Sequence, residues 1–186
     1  KSLRTPIRTF LGTEDAPDGF YLNIHDRPGP YMVGRETIRL GGRSHVRDSI
    51  AGVSFLVSPT TFFQPNVEAA ERLAGLVLEE IPLDTSRILD LYAESGLFTF
   101  PLARRGHEVT SVDENTVAVR DAEANLRLNR LSTANVRLHA TTVEAALPRL
   151  RHELFDAAIL DPPRSGCPPV VVRTLKGRVR IRLRGS

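Results

Sequence analysis

The sequence predicts an α/β fold in which a doubly wound parallel sheet follows a small β-rich lobe. Two observations carry this prediction. Residues 82–172 alternate apolar strand-like runs with helix-like runs, and strands that are apolar throughout form sheets buried on both faces. Residues 1–64 instead contain short β-like runs between turn residues, namely FYLNIH, ETIRL and VSFLVS separated by DRPGP and LGGRS.

The alternating half gives its predicted elements in a regular order. The strands are RILDLY, EVTSVD, NVRLHA and FDAAILD, and the helices between them are FTFPLARR, NTVAVRDAEANLRLN and VEAALPRL. A connecting helix over 65–81 joins the two halves, because its apolar residues recur at helical spacing and Asn66 is a suitable N-cap. We separate residues 173–186 from the sheet as a basic tail.

The composition limits the classes of function. The single cysteine among 186 residues excludes an internal disulfide, and the sequence contains no four-ligand zinc pattern. No apolar run approaches the roughly 20 residues that span a bilayer. We therefore expect a cytoplasmic protein with no metal and no membrane segment. Because the chain begins with Lys1 and shows no leader pattern, we expect its start to be a fragment boundary.

The net charge of +3 is concentrated in the basic tail. Residues 173–186 hold six basic residues and no acid, so the rest of the chain is acidic overall. The charge of the whole protein is therefore a weak argument for RNA binding. The tail is either an arm that binds phosphate or a short solvated edge strand or terminus without a ligand.

Acidic residues follow the predicted strands at Asp90, Asp113 and Asp161. Ligands of open α/β sheets lie beyond the carboxyl ends of the strands, so three acids there indicate a ligand site. Gly96, before the next helix, would let the backbone approach a ligand closely. Asp113 could accept both hydroxyls of a ribose, as in sites for nicotinamide dinucleotides and for S-adenosylmethionine. The absence of a complete GxGxxG argues against the dinucleotide.

Two proline-containing segments complete the candidate site. In LDPPR, residues 160–164, each proline fixes φ and removes a backbone donor, so Asp161 and rigid carbonyls would face a flat base. In SPTTFFQPN, residues 58–66, Gln64 could hydrogen-bond a cofactor or a base edge.

The sequence resembles the RNA uracil-5 methyltransferases, which use S-adenosylmethionine and act on tRNA or large-subunit rRNA. The resemblance runs from about residue 20 to residue 172 and rests on four strings in order: SPTTFFQPN, DLYAESGLFTFPLA, VTSVDENTVAVRDAEANLRLNRL and ILDPPRSG. It implies a Rossmann-like class I methyltransferase sheet, incomplete at its C-terminal end. It also implies S-adenosylmethionine as the cofactor and RNA as the partner, with rRNA favoured over tRNA.

The resemblance also implies roles for individual residues. Tyr92 would line the adenosine side, Asp113 would hold the ribose hydroxyls, and Asp161 would be the catalytic residue between donor and target base. The implied set of donor-binding residues is Gln64, Tyr92, Gly96, Asp113, Thr142 and Asp161.

The chemistry of this family needs a cysteine thiolate that adds to C6 of uracil and a glutamate that removes the C5 proton. In the family both follow the Asp-Pro-Pro motif, the cysteine after the next strand, and this chain has GRVRIRLRGS where that strand should be. We therefore expect a truncated, inactive chain. Cys167 lies too early to be that nucleophile, and we interpret it as a bystander. The family usually has Cys-Gly where this chain has Ala93 and Glu94, which should weaken donor binding unless Glu94 turns outward.

Two alternatives stay open at this point. The chain could be an exocyclic-amine or cytosine methyltransferase on the same fold, although Arg164 offers no stacking ring after the Asp-Pro-Pro motif. It could also be an RNA-binding or scaffold remnant that uses its basic tail. A sheet that stops after its fourth strand would expose an edge, so we expect association unless the tail folds back as an edge strand.

Overall fold

The first half of the chain contains two antiparallel strand pairs. The computed structural model describes residues 4–26, 33–176 and 179–182, so the predicted DRPGP turn lies largely outside the described residues. Helix α1 (Arg4–Phe10) precedes the pair of β1 (Gly19–Ile24) with β2 (Glu36–Gly42). Strands β3 (Val46–Ile50) and β4 (Val53–Val57) form the second pair. This is the predicted β-rich lobe.

The second half forms a five-stranded parallel sheet. Its elements are α2 (Val67–Glu80), β5 (Arg87–Leu91), α3 (Thr99–Arg104), β6 (Glu108–Asp113), α4 (Thr116–Leu128), β7 (Val136–Ala140), α5 (Val143–Arg149), β8 (Phe155–Leu160), α6 (Pro169–Leu175) and β9 (Val179–Arg182). The strand order is β7-β6-β5-β8-β9, and every neighbouring pair is parallel. The predicted α/β fold is confirmed, and Asn66 caps α2 by accepting from the N–H of Ala69.

Both faces of the sheet are buried, as a doubly wound fold requires. Ile88 on β5 packs into an apolar cluster with Phe55 and Phe100, whereas the adjacent Leu89 packs into a second cluster with Leu147 of α5. Alternate residues of a strand point to opposite faces, so one central strand supplies both cores. The nearly continuous burial of β5, β6 and β8 has this physical cause.

Three elements differ from the sequence analysis. Helix α1 and strand β3 were not predicted; β3 has the polar sequence VRDSI, so its pairing depends on the backbone rather than on an apolar face. The tail boundary at residue 173 falls inside α6, which ends at Leu175. Residues 179–182 then pair with β8 as a parallel edge strand, which is the arrangement under which we expected no association.

A row of polar side chains on α4 holds the edge of β4. Asn125 accepts from the N–H of Leu56 at 2.7 Å and donates to its carbonyl at 3.1 Å, and Asn129 does the same to Ser54 at 2.9 and 2.7 Å. Asp121 accepts from the N–H of Ser58 at 2.7 Å. Four helical residues rise about 6 Å and two strand residues span about 6.6 Å, so the spacings match. We call Asp121, Asn125 and Asn129 the α4 ladder.

The α4 ladder predicts a specific loss of stability. Asn125 has no exposed surface. In Asn125→Ala the N–H and the carbonyl of Leu56 therefore both lose their side-chain partner. We expect the free energy of unfolding to fall by about 2 kcal/mol or more in urea denaturation. Glu123→Ala, an exposed change on the same helix, should shift it by less than about 0.5 kcal/mol. Equal effects of the two changes would contradict the ladder's role.

Candidate functional site

The candidate site lies at the carboxyl ends of β5, β6 and β8. The chain passes from β5 to β6 on one side and later returns to β8 on the other side of β5. Such a reversal of strand order opens a crevice beyond the carboxyl ends of the central strands. The loop of residues 92–96, Asp113 and Asp161 all border this crevice, which brings the sequence-predicted acids together.

The loop after β5 has alternating left-handed residues. Tyr92, Glu94 and Gly96 have φ values of 62, 47 and 94°. This region is natural for glycine, but two of the three residues carry side chains. The N–H groups of Tyr92 and Ala93 donate to the carbonyl of Val112 at 2.9 and 3.2 Å and anchor the loop to β6. Residues held in such conformations are concentrated at binding and catalytic sites.

Packing requires a glycine at residue 96, in addition to the predicted close approach of a ligand to the backbone. A Cβ atom at this residue would lie 2.4 Å from Cε2 of Phe100, and φ is positive. Phe100 is fully buried in the core. The glycine therefore allows the loop to cross the Phe100 ring, and its contact with a donor stays a prediction.

Asp113 ends β6 and connects the loop to the sheet. Its Oδ2 accepts from the N–H of Glu94 at 2.8 Å, and its Oδ1 accepts from the N–H of Asn115 at 2.8 Å. Burial raises the pKa of Asp113, and the two backbone hydrogen bonds oppose that shift. Each carboxylate oxygen keeps a further lone pair, so Asp113 can still accept from a ribose.

Asp90 lies inside β5 rather than at its end. The carboxyl is fully buried, and Thr99 Oγ1 donates to Oδ2 at 2.6 Å. Among the described residues, no partner reaches Oδ1, nor Oγ of the equally buried Ser95. Burial raises the pKa of Asp90 to about 7, with Asp161 and Asp113 adding to the effect. Two buried polar atoms beside the loop therefore lack hydrogen bonds in the described part of the chain.

Glu94 does not turn outward. The residue is half-buried, and its Oε2 is inaccessible and without a hydrogen bond to the described residues. Burial raises the pKa of Glu94 to about 7, and the carboxylates of Asp113 and Asp161 raise it further, whereas Asn115 opposes the shift. The condition under which we expected Glu94 to leave donor binding unchanged is therefore not met.

Asp161 follows β8 directly and is the most exposed of the clustered acids. Its N–H donates to the carbonyl of Leu91 at 3.3 Å, which extends the pairing of β8 with β5. Neighbouring atoms exclude enough water from the carboxylate to raise its pKa. An accessible acid with fixed backbone suits a residue that faces a substrate.

The remaining predicted donor residues occupy different surroundings. Gln64 is half-buried in the 58–66 loop, which Asn115 contacts by donating to the carbonyl of Thr60 at 3.4 Å. Thr142 is exposed and caps α5 by accepting from the N–H of Ala145 at 3.3 Å. The observed role of Thr142 is structural, and its contact with adenine stays a prediction.

Cys167 packs beside Tyr92 against the core under α5. Burial and the neighbouring Cys167 raise the pKa of the Tyr92 hydroxyl to about 12. The thiol has a weak contact with the carbonyl of Pro168 at 3.9 Å. This position supports the interpretation of Cys167 as a packing residue.

Phe62 is an exposed aromatic residue that was not predicted from the sequence as part of the site. Its neighbour Phe63 packs on Phe55 with ring centroids 5.4 Å apart, whereas Phe62 is 50% exposed in the same loop as Gln64. Exposed aromatic rings stack on unpaired nucleobases. The adjacent phenylalanines of SPTTFFQPN were the available signal, because one aromatic residue suffices to anchor a loop.

Other features add no competing site. In residues 4–26, 33–176 and 179–182, no group of three His, Cys, Asp or Glu residues could hold a metal ion. No helix described there is long and apolar enough to cross a membrane. A cleft of about 280 Å³ between α5 and α6 has a mainly apolar lining that includes Leu147 and Val170. Glu144, Arg151 and Thr174 also line it, but none of the sequence-predicted site residues does.

The buried Asp90 predicts a pH-dependent stability. Its pKa rises from 3.8 to about 7 on folding, so the folded chain binds more protons in that window and loses stability as pH rises through it. Asp90→Asn should remove this loss, so its stability relative to the unmodified chain should increase by roughly 2–3 kcal/mol between pH 5 and pH 8. Urea denaturation at both pH values measures the difference.

The matched control is Asp84→Asn, an exposed change that should leave the pH profile unchanged. Parallel profiles for Asp90→Asn and the unmodified chain would contradict the burial of a titrating carboxyl at this residue.

Comparison with known proteins places the chain in a family. Residues 49–182 match the family described as tRNA (Uracil-5-)-methyltransferase. An uncharacterized RNA methyltransferase of Synechocystis is 39% identical over 87% of this chain and 35% of its own length. The human tRNA (uracil-5-)-methyltransferase homolog A is 31% identical over 88% of this chain and 26% of its own length. The chain thus spans about a third of the length of such relatives.

Solved structures of methyltransferases also match this chain. The Pyrococcus abyssi tRNA (uracil-54, C5)-methyltransferase, in complex with S-adenosyl-L-homocysteine, matches 87% of this chain and 38% of its own, with 27% identity and a TM-score of 0.68. A SAM-dependent methyltransferase of Agrobacterium tumefaciens, 23% identical over 79% of this chain and 47% of its own, shares the fold with a TM-score of 0.56. The described sheet is thus the Rossmann-like sheet of such methyltransferases. The chain belongs to the tRNA (uracil-5-)-methyltransferase family.

Proposed function

We propose that this chain provides the S-adenosylmethionine site of an RNA methyltransferase that modifies C5 of uridine in rRNA or tRNA. One observation carries the proposal: the N–H of Glu94 donates to Asp113 at 2.8 Å, which joins the left-handed loop after β5 to the acid that ends β6. A loop and an acid joined in this way suit a ligand with a ribose.

The residues present fit this donor. Asp113 would accept from the ribose hydroxyls, Tyr92 would line the adenosine side, and Gln64 would border the pocket from the 58–66 loop. Gly96 and Thr142 complete the proposed set. The unpartnered oxygens of Asp90 and Ser95 support a polar ligand nearby. When bound, S-adenosylmethionine supplies a methyl group on a positively charged sulfur.

The proposed RNA substrate presents an unpaired uridine. Asp161 would lie between donor and base as the catalytic residue, because it is accessible and directly follows the central part of the sheet. Phe62 would stack on the base or on its neighbour. The single cysteine, a free thiol, supports a reducing, cytoplasmic setting.

The proposed reaction also needs a thiolate and a base. Cys167 packs against Tyr92 and is poorly placed to add to C6 of a uracil beside Asp161. We therefore assign this chain the donor half of the reaction.

The first prediction from this assignment concerns transfer. With radiolabelled S-adenosylmethionine and uridine-containing RNA, this chain should transfer essentially no label, because no placed thiolate activates C5. Nucleoside analysis measures the product. Robust label at C5 of uridine would contradict the assignment, and label on an exocyclic amine would favour the alternative methyltransferase class.

The second prediction concerns binding. The chain should bind S-adenosylhomocysteine in calorimetry, and Asp113→Ala should weaken binding at least about tenfold by removing acceptors for the ribose. Asp84→Asn, exposed and outside the crevice, should bind as the unmodified chain does. Unchanged affinity in Asp113→Ala, together with retained folding, would place the ligand elsewhere.

A further inference from the structure

Glu94 carries a carboxylate at a residue whose backbone favours glycine. Its φ of 47° lies in the left-handed region, and its N–H is held by Asp113. The loop therefore holds the backbone of Glu94 beside the end of β6. The carboxyl lies inside the crevice, because its Oε2 is inaccessible and the carboxylates of Asp113 and Asp161 act on it.

The charged groups that act on Glu94 are acidic. They come from the end of β6, the end of β8 and the turn before α4, and they are Asp113, Asp161 and Glu114. Asn115 is a neutral hydrogen-bonding neighbour. The fully buried Asp90 Oδ1, which has no partner among the described residues, lies next to the same acids. Among the described residues, these acids do not form a group that could hold a metal ion.

We propose that Glu94 is a specificity-determining residue that makes the site prefer the cationic methyl donor over its neutral product. This inference rests on the proposed function, because it requires that the crevice bind S-adenosylmethionine. The donor carries a sulfonium, an ammonium and a carboxylate, and so has a net charge of +1. S-adenosylhomocysteine lacks the sulfonium charge and is neutral overall.

The position of the Glu94 carboxyl determines which of the two ligands it favours. Opposite charges attract more strongly where water is excluded, so a carboxylate in the crevice, although it should weaken the binding of both ligands, favours the donor with its sulfonium over the neutral product. The same attraction favours the ionised form of Glu94. Since its pKa is about 7, the preference for the donor should increase as pH rises from 6 to 8. Release of the neutral product would be correspondingly easier.

Calorimetry with S-adenosylmethionine and S-adenosylhomocysteine tests the inference. At pH 8, Glu94→Gln should lower the ratio of the two affinities about tenfold, which corresponds to losing one partly screened charge pair. At pH 6 the change should be smaller. Glu114→Gln removes an exposed carboxylate from the adjacent turn and should leave the ratio nearly unchanged. Glu94→Gly, which suits the positive φ, should reproduce the Gln result if Gln disturbs folding.

The outcomes separate this inference from the proposed function. If both ligands bind and the ratio is the same in Glu94→Gln, Glu94→Gly and the unmodified chain, the role of Glu94 is wrong and the donor site stands. An equal change in Glu114→Gln would also overturn the specific role of Glu94. If neither ligand binds any of these chains, the proposed function and the inference both fail.

Discussion

The hydrogen bonds of the α4 ladder determine where the two halves of the site meet. Asp121, Asn125 and Asn129 occupy backbone groups that a neighbouring strand would otherwise pair, and so hold β4 and the loop after it. The N-cap of helix α4, Asn115, lies two residues after Asp113 and contacts the 58–66 loop. The same helix therefore follows the acid that ends β6 and makes the contacts that hold the loop containing Gln64. The lobe is part of the site because α4 holds it there.

The second constraint is the burial of like charges at the centre of the sheet. Asp90, Glu94, Asp113 and Asp161 all have raised pKa values, and burial is the largest cause for each. Burying acids without cations costs free energy, and such an arrangement is typical of sites where a ligand supplies the missing interaction. The left-handed loop adds backbone strain at the same place. The buried like charges and two left-handed residues with side chains, Tyr92 and Glu94, thus lie together near the carboxyl ends of the strands.

The regular alternation of strand-like and helix-like runs was sufficient to predict the parallel sheet, because strands joined by helices form sheets buried on both faces. It also predicted that Asp113 and Asp161 lie at the same edge of the sheet, beyond the carboxyl ends of the strands. Strand β3 was not predicted because backbone pairing holds it, whereas the edge strand β9 was one of the two alternatives for the tail. The exact surroundings of Asp90 depend on Thr99, and the reason for Gly96 depends on Phe100; neither contact is visible in a local pattern. The α4 ladder could have been found from its spacing of four residues, since polar residues on the inner face of a helix need partners.

The central claim is that a ligand with an adenosine and an amino acid part binds beyond β5, β6 and β8, with the 58–66 loop as one wall. Amide NMR spectra of the chain with and without S-adenosylhomocysteine test it most directly. The account predicts shifts at Glu94, at residues 113–115 and at Gln64 together, because α4 holds these segments in one arrangement. Shifts confined to Leu147, Val170 and Thr174, around the cleft between α5 and α6, would contradict it.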